Sequence, residues 1–205
     1  MLLVPPRAEL GRRMARLLPG LVLMGVGLAA QVRADLGLGP WEALHQGIAR
    51  HTGIPIGRVG ILVGVVVLLG WIPLRQRPGL GTLCNVVLIG VVIDAVLGLT
   101  PEQHALATRI PLLAGGILLV GLGSGLYIGA GLGPGPRDGL MTGLAARGHN
   151  LALVRTLIEV TALCAGWALG GTVGVGTVAF AVGIGPLVQL FLGRLTMPVL
   201  TAPGE

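Results

Sequence analysis

The sequence predicts an all-α polytopic membrane protein, with six transmembrane helices as two inverted three-helix repeats and a short extra helix after the first span of each. Three observations carry that prediction. Hydrophobic residues make up 53% of the chain against 11% charged, and the mean hydropathy is +0.89, a balance foreign to ordinary soluble domains. Six apolar runs approach the length of a bilayer-spanning helix, about 20 residues. The segment GLGPWEALHQG at Gly37 to Gly47 returns as GPGPRDGLMTG at Gly133 to Gly143.

That return has a constant spacing. At an offset of 96, Leu36/Leu132, Gly37/Gly133, Gly39/Gly135, Pro40/Pro136, Leu44/Leu140 and Gly47/Gly143 are identical, and Glu42 falls on Asp138. The same offset joins Gly20/Gly116, Leu23/Leu119, Gly25/Gly121 and Gly27/Gly123 upstream, and Gly70/Gly166 and Trp71/Trp167 downstream. After one deletion, an offset of 95 aligns Gly79/Gly174, Gly81/Gly176, Thr82/Thr177, Gly90/Gly185 and Leu97/Leu192. A duplication accounts for this, with repeat one at about 16–99 and repeat two at about 109–194 of a single transmembrane domain.

The predicted spans are Leu17 to Ala34, Val59 to Leu74, Leu80 to Leu99, Ile110 to Leu132, Leu151 to Leu169 and Val173 to Leu192. The first follows Arg12, Arg13 and Arg16 and resembles a signal peptide, but its repeat counterpart is internal, so it reads as a permanent span. The second is short and gains length by starting near Ile56, with Arg58 snorkelling to the interface. Three spans per repeat is an odd number, so the second repeat enters the membrane from the opposite side, as in many transporters.

Arginine placement sets the expected orientation. With the N-terminus inside, Arg7, Arg12, Arg13, Arg16, Arg75, Arg77, Arg137, Arg147, Arg155 and Arg194 are cytoplasmic, and only Arg33, Arg50, Arg58 and Arg109 lie outside. Both termini are therefore expected in the cytoplasm. The net charge of +6 is carried by isolated arginines at span ends rather than by a basic stripe, which argues for topology and against nucleic acid.

Each motif segment is too polar to span. A proline at the first helical position and an acid in the first turn predict short helices from Pro40 to Arg50 and from Pro136 to Arg147. If they lie flat, inversion puts them on opposite faces. If they re-enter the bilayer, their positive N-terminal ends meet near the midplane and face a substrate.

The stretches GLGPWEALHQG, GLGPGPRDGLMTGL, WIPLRQRPGLGT and VGVGTVAFAVGIGPLV resemble the YczE-like bacterial integral membrane proteins, related to the YitT group. The likeness spans nearly the whole chain, and GPRDGLM is its most specific part. It implies a multi-pass bacterial plasma-membrane protein described as a transporter, without a settled substrate or binding-residue set. Glu42 stands where the resemblance leads one to expect aspartate.

Several residues are candidates for substrate binding or coupling. Asp94 sits inside the third span, where an ionised carboxylate costs about 2.5–3.5 kcal/mol, so it should face protein or water. Its counterpart Gln189 is polar but does not titrate. Glu159 lies one turn after Arg155, at the spacing of an ion pair or of a second coupling site with a switchable partner. Arg33 and Asp35 close the first span. Arg137 and Asp138 stand in the second motif, and Glu42 in the first; Arg137 suits a carboxylate or phosphate, or a topology signal, and the two acids suit a site or a helix dipole.

Gly121, Gly125, Gly129 and Gly133 form a small-residue stripe for close helix packing, and Gly183, Gly185 and Pro186 predict a break or kink in the sixth span. No enzyme signature, cofactor or metal site is expected. GVGTVA at Gly174 to Ala179 opens a span rather than following a strand. His45, His51, His104 and His149 sit at loop or interface positions without ligand spacing, Ser124 lacks a nearby histidine in sequence, and Cys84 and Cys164 read as packing residues. The expected function is secondary transport or facilitated passage of a small polar solute, with Asp94 or Glu159 supplying proton coupling. The alternative is a non-transporting membrane scaffold or modulator of a partner protein. Apart from the lipid bilayer and that solute, the sequence allows a homo-oligomer without requiring one.

Overall fold

A computed structural model describes residues 7–197, and all regular structure among them is helical. The elements are α1 (Arg7–Ala34), α2 (Pro40–Thr52), α3 (Ile56–Leu69), α4 (Trp71–Leu74), α5 (Leu80–Leu99), α6 (Leu106–Gly129), α7 (Pro136–Ala145), α8 (Leu151–Ala168) and α9 (Val175–Leu195). Among the described residues, six helices are long and apolar enough to cross a membrane: α1 from Glu9, α3 continued by α4, α5, α6, α8 and α9. The protein is a multi-pass membrane protein, and α2 and α7 are the two motif helices. Most predicted ends lie within three residues of the observed ones, but α1 begins at Arg7 and α6 is shifted to Leu106–Gly129. Of the break or kink predicted at Gly183, Gly185 and Pro186, the break does not occur: α9 runs without interruption and carries Pro186 inside it.

The core is the antiparallel pair α1 and α6. Gly20 of α1 lies against Gly123 of α6, and Gly27 against Gly116, so closely that a Cβ on Gly27 would stand 2.6 Å from the Gly116 carbonyl oxygen. Glycine lets two backbones approach this far, and in lipid such packing holds helices together without a hydrophobic driving force. An arginine near the start of each helix grips the end of the other. Arg13 Nη1 donates to the Ala130 carbonyl at 2.8 Å, and Arg109 Nε donates to the Ala34 carbonyl at 2.6 Å. The stripe Gly121, Gly125 and Gly129 packs instead on α9, against Leu187, Phe191 and Leu195.

The two motif loops are built alike. Gly37 and Gly133 adopt φ of 124° and 121°, which side chains with a Cβ rarely adopt. The preceding carbonyls dock on the starts of distant helices: Leu36 accepts from Gly176 N at 2.7 Å, and Leu132 accepts from Gly81 N at 2.8 Å. At those starts the Thr177 and Thr82 hydroxyls accept from Gly174 N and Gly79 N. The loop before α2 is thus anchored on α9, and the loop before α7 on α5.

The outer helices are packed unequally. α3 crosses α5 at Gly57 and Gly90, where a Cβ on Gly57 would stand 2.0 Å from the Gly90 oxygen. At the corresponding crossing of α8 and α9, Leu153 is 58% exposed and Gly185 has open space where a Cβ would be. α8 instead leans on α2, with Gly166 against Ala43 and Leu44.

Candidate functional site

Between these elements lies a cavity of about 540 Å³, walled by parts of α1, α2, α3, α5, α6, α7, α8 and α9. The first turns of both motif helices open into it. Their geometry follows from local sequence: glycine then proline starts each helix, and the acid three residues after the glycine lands in the first turn. Glu42 and Asp138 fold back toward their own helix starts, so a Cβ on Gly39 would meet Glu42 Oε2 at 2.9 Å and one on Gly135 would meet Asp138 Oδ2 at 3.0 Å.

One contact bridges the motifs. Arg137 Nη2 donates to Glu42 Oε1 at 2.9 Å, and its guanidinium lies 4.9 Å from the centre of the Trp41 ring. Glu42 is buried and Arg137 partly so. Burial alone raises the Glu42 pKa, but Arg137, His45 and the residue's own N–H outweigh it and hold the carboxyl below its ordinary value. His45, three residues after Glu42, is buried against Gly60 of α3. Burial, reinforced by Arg137 and opposed by Glu42, pushes its pKa down to about 4, so it is neutral at physiological pH.

On the other side, Arg155 Nε donates to Glu159 Oε1 at 3.0 Å, and both line the cavity at its more exposed edge. Asp138 faces the same space, exposed to the cavity itself yet deep enough among protein atoms that burial pushes its carboxyl up. Glu159 adds to that shift, and Arg137 and Arg155 oppose it. Asp138 makes no hydrogen bond or ion pair among the described residues. Two buried side chains of the lining are also short of partners: the Trp41 indole Nε1 and the His45 Nε2. Such groups cost free energy unless something supplies the missing bond.

The cavity therefore gathers four of the seven candidates, Glu42, Arg137, Asp138 and Glu159, and leaves out three. Asp94 is a helix cap: its carboxylate accepts from Gly57 N at 2.6 Å and Arg58 N at 2.9 Å at the start of α3. Arg33 caps the far end of α5, donating to the Leu97 carbonyl and to Thr100 Oγ1. Gln189 is exposed on α9, away from the lining. The lining also includes Trp41, His45, Asn85, Ser124 and Tyr127, which sequence reasoning did not select. His45 is not at a loop or interface position as expected from the sequence; its spacing of three from Glu42, which puts both on one helix face, was the available signal. Among the described residues, no group of His, Cys, Asp and Glu could hold a metal ion.

Residues 11–193 match a family of unknown function, DUF6198. A Haemophilus influenzae protein described as uncharacterized is 42% identical over 177 residues, covering 86% of this chain and 81% of that one. The uncharacterized membrane protein YczE of Bacillus subtilis is 35% identical over 190 residues, covering 91% and 88%. The uncharacterized protein YyaS of the same organism is 26% identical over 180 residues, covering 84% and 89%. No solved structure matches the chain significantly. The chain belongs to the DUF6198 family and is YczE-like, as its motifs suggested.

Proposed function

We propose that the protein is a secondary transporter or facilitator for a small polar solute in the bacterial plasma membrane, with the central cavity as its site. The observation that carries this reading is the convergence of both motif-helix starts on one cavity of about 540 Å³, a size suited to a small molecule. The cavity holds two ion pairs, Arg137 with Glu42 across the halves and Arg155 with Glu159 within the second, which a purely structural interior would avoid. A non-transporting scaffold or modulator predicts a closed, glycine-packed interior, and that kind of packing is confined here to the helix pairs around the cavity.

The mechanism is rocking of two inverted repeats. Its support is the antiparallel run of the repeat-equivalent helices α1 and α6, together with contacts that recur at the repeat offset: Arg13 to Ala130 with Arg109 to Ala34, and Gly81 to Leu132 with Gly176 to Leu36. Gly57 and Gly90 correspond to Leu153 and Gly185, so one crossing is closed and its equivalent is open. With both termini in the cytoplasm, the open edge beside Arg155 faces inward and the closed one outward. In the opposite state α8 would pack on α9 and α3 would leave α5.

Reconstituted vesicles test this directly. Vesicles bearing the protein, incubated in a small-metabolite extract and analysed by mass spectrometry, should accumulate at least one solute faster than vesicles bearing Arg137→Ala. Equal contents across all solutes would reject transport.

A further inference from the structure

We propose that the central cavity takes a small organic cation with an apolar body, its ammonium seated at the Asp138 carboxylate in exchange for a proton. This rests on reading the cavity as a solute site and narrows what that solute is.

The charges around the cavity can be followed one by one. Arg137 is engaged by Glu42 and by the Trp41 ring. Arg155 is engaged by Glu159. His45 is neutral. Asp138 shares the lining with Arg137 on its own helix, Glu42 and His45 on α2, Tyr127 on α6, and Arg155 and Glu159 on α8, and forms no ion pair or hydrogen bond among the described residues. From α1, α3, α5 and α9 no charged side chain reaches the lining. With Asp138 ionised the cavity carries one uncompensated negative charge; one proton or one monovalent cation removes it. An uncompensated charge at this depth is costly, so a cation gains attraction here that an anion lacks.

An anion would have to take an arginine from its carboxylate or compete with the acids already at both helix starts. A cation meets a waiting carboxylate. The rings of Tyr127 and Phe180 line the same space and favour an ammonium group. Leu28, Ile89 and Ile184 offer apolar wall for the rest of the molecule. The indole Nε1 of Trp41 and the Nε2 of His45, both at least nine-tenths buried and unpartnered, leave room for a hydrogen bond to a further polar atom on the ligand, such as a hydroxyl, ether or carbonyl. The exchange balances, since one cation enters as one proton leaves the Asp138 oxygen.

The test uses the full-length protein in detergent with three probes of similar size: benzyltrimethylammonium, benzamide and benzenesulfonate. Binding is followed by calorimetry and thermal shift at pH 6 and pH 8, and proton release is read in weak buffer. The expected result is a response to the cation alone. Its affinity should weaken by up to about tenfold per pH unit below the Asp138 pKa, with one proton released per cation bound where Asp138 is protonated. Asp138→Asn, verified as folded by its melting transition, should lose both responses, and Asp138→Glu should restore them. Equal responses to all three probes, preference for benzenesulfonate, or full cation binding by Asp138→Asn would overturn the inference. Cation binding with proton release but no flux in any vesicle assay would overturn transport and leave this inference standing; solute flux without a cation response would do the reverse.

Discussion

Arg137 of α7 donates to Glu42 of α2, 95 residues earlier in the chain, at 2.9 Å and so ties the two motif helices together. Removing the arginine leaves Glu42 buried without its main partner. Arg137→Ala should therefore destabilise the protein by about 3 kcal/mol, the lower end for a broken buried pair because the arginine is partly open. The double variant Glu42→Gln with Arg137→Met should recover part of that loss in a chemical melt. Since Glu42 is held below its ordinary value of 4.5, the stability from the pair is present above that value and declines as pH falls through the lower folded one. The difference between wild type and Glu42→Gln should stay flat from about pH 5 to 8 and shrink below that.

The α1 and α6 crossing makes a steric prediction. Gly27→Ala would place a methyl group 2.6 Å from the Gly116 oxygen, a backbone atom that cannot swing aside. A loss of about 1–3 kcal/mol in detergent unfolding is expected. Gly115→Ala, one residue from that crossing but with nothing within 4 Å of the new carbon, should cost nothing measurable.

Asp94 should behave as a cap and not as a proton carrier. Asp94→Ala removes the acceptor for Gly57 N and Arg58 N and should lower stability by about 1 kcal/mol. Asp94→Asn keeps an amide oxygen able to accept one of those bonds and should cost less. Neither should change the pH profile of cation binding. A profile displaced by Asp94→Asn, with stability intact, would return Asp94 to the coupling site.

Much of this fold was legible because bilayer thickness imposes span length on any chain that crosses it, and because a glycine, a proline and an acid announce the start of each motif helix. The cavity was legible where a motif already pointed, at Glu42, Arg137 and Asp138, and where one turn of helix separates two opposite charges, at Arg155 and Glu159. Asp94 and Gln189 stood out because polar residues inside apolar runs stand out, yet a sequence does not say which helix start lies beside such a residue. Asp94 meets the first turn of α3, and Gln189 meets none. Trp41, Ser124 and Tyr127 look like ordinary packing residues until the helices that surround them are brought together. Trp71 and Trp167 show the same limit: they align at the offset of 96, but Trp71 is buried with its indole donating to the Pro136 carbonyl, and Trp167 is 69% exposed.

That inequality bears on motion. Gly57 and Gly90 touch, whereas their equivalents Leu153 and Gly185 are apart, and a rocking mechanism requires the second pair to close at another point in the cycle. Cysteines at these two positions, in a chain with Cys84 and Cys164 changed to serine, give a direct readout. Leu153→Cys with Gly185→Cys should form a disulfide under mild oxidant, slowly at rest and faster when transported solute is cycling. The bond requires the two Cα atoms to come within about 7 Å, so its formation reports the approach of α8 and α9. Once formed, it should trap the closed arrangement, weaken the α3 and α5 contact and stop solute movement until a reductant restores it. Failure to cross-link under any condition, in protein that still moves solute, would exclude this closure and leave the difference between the two crossings a fixed feature of the fold.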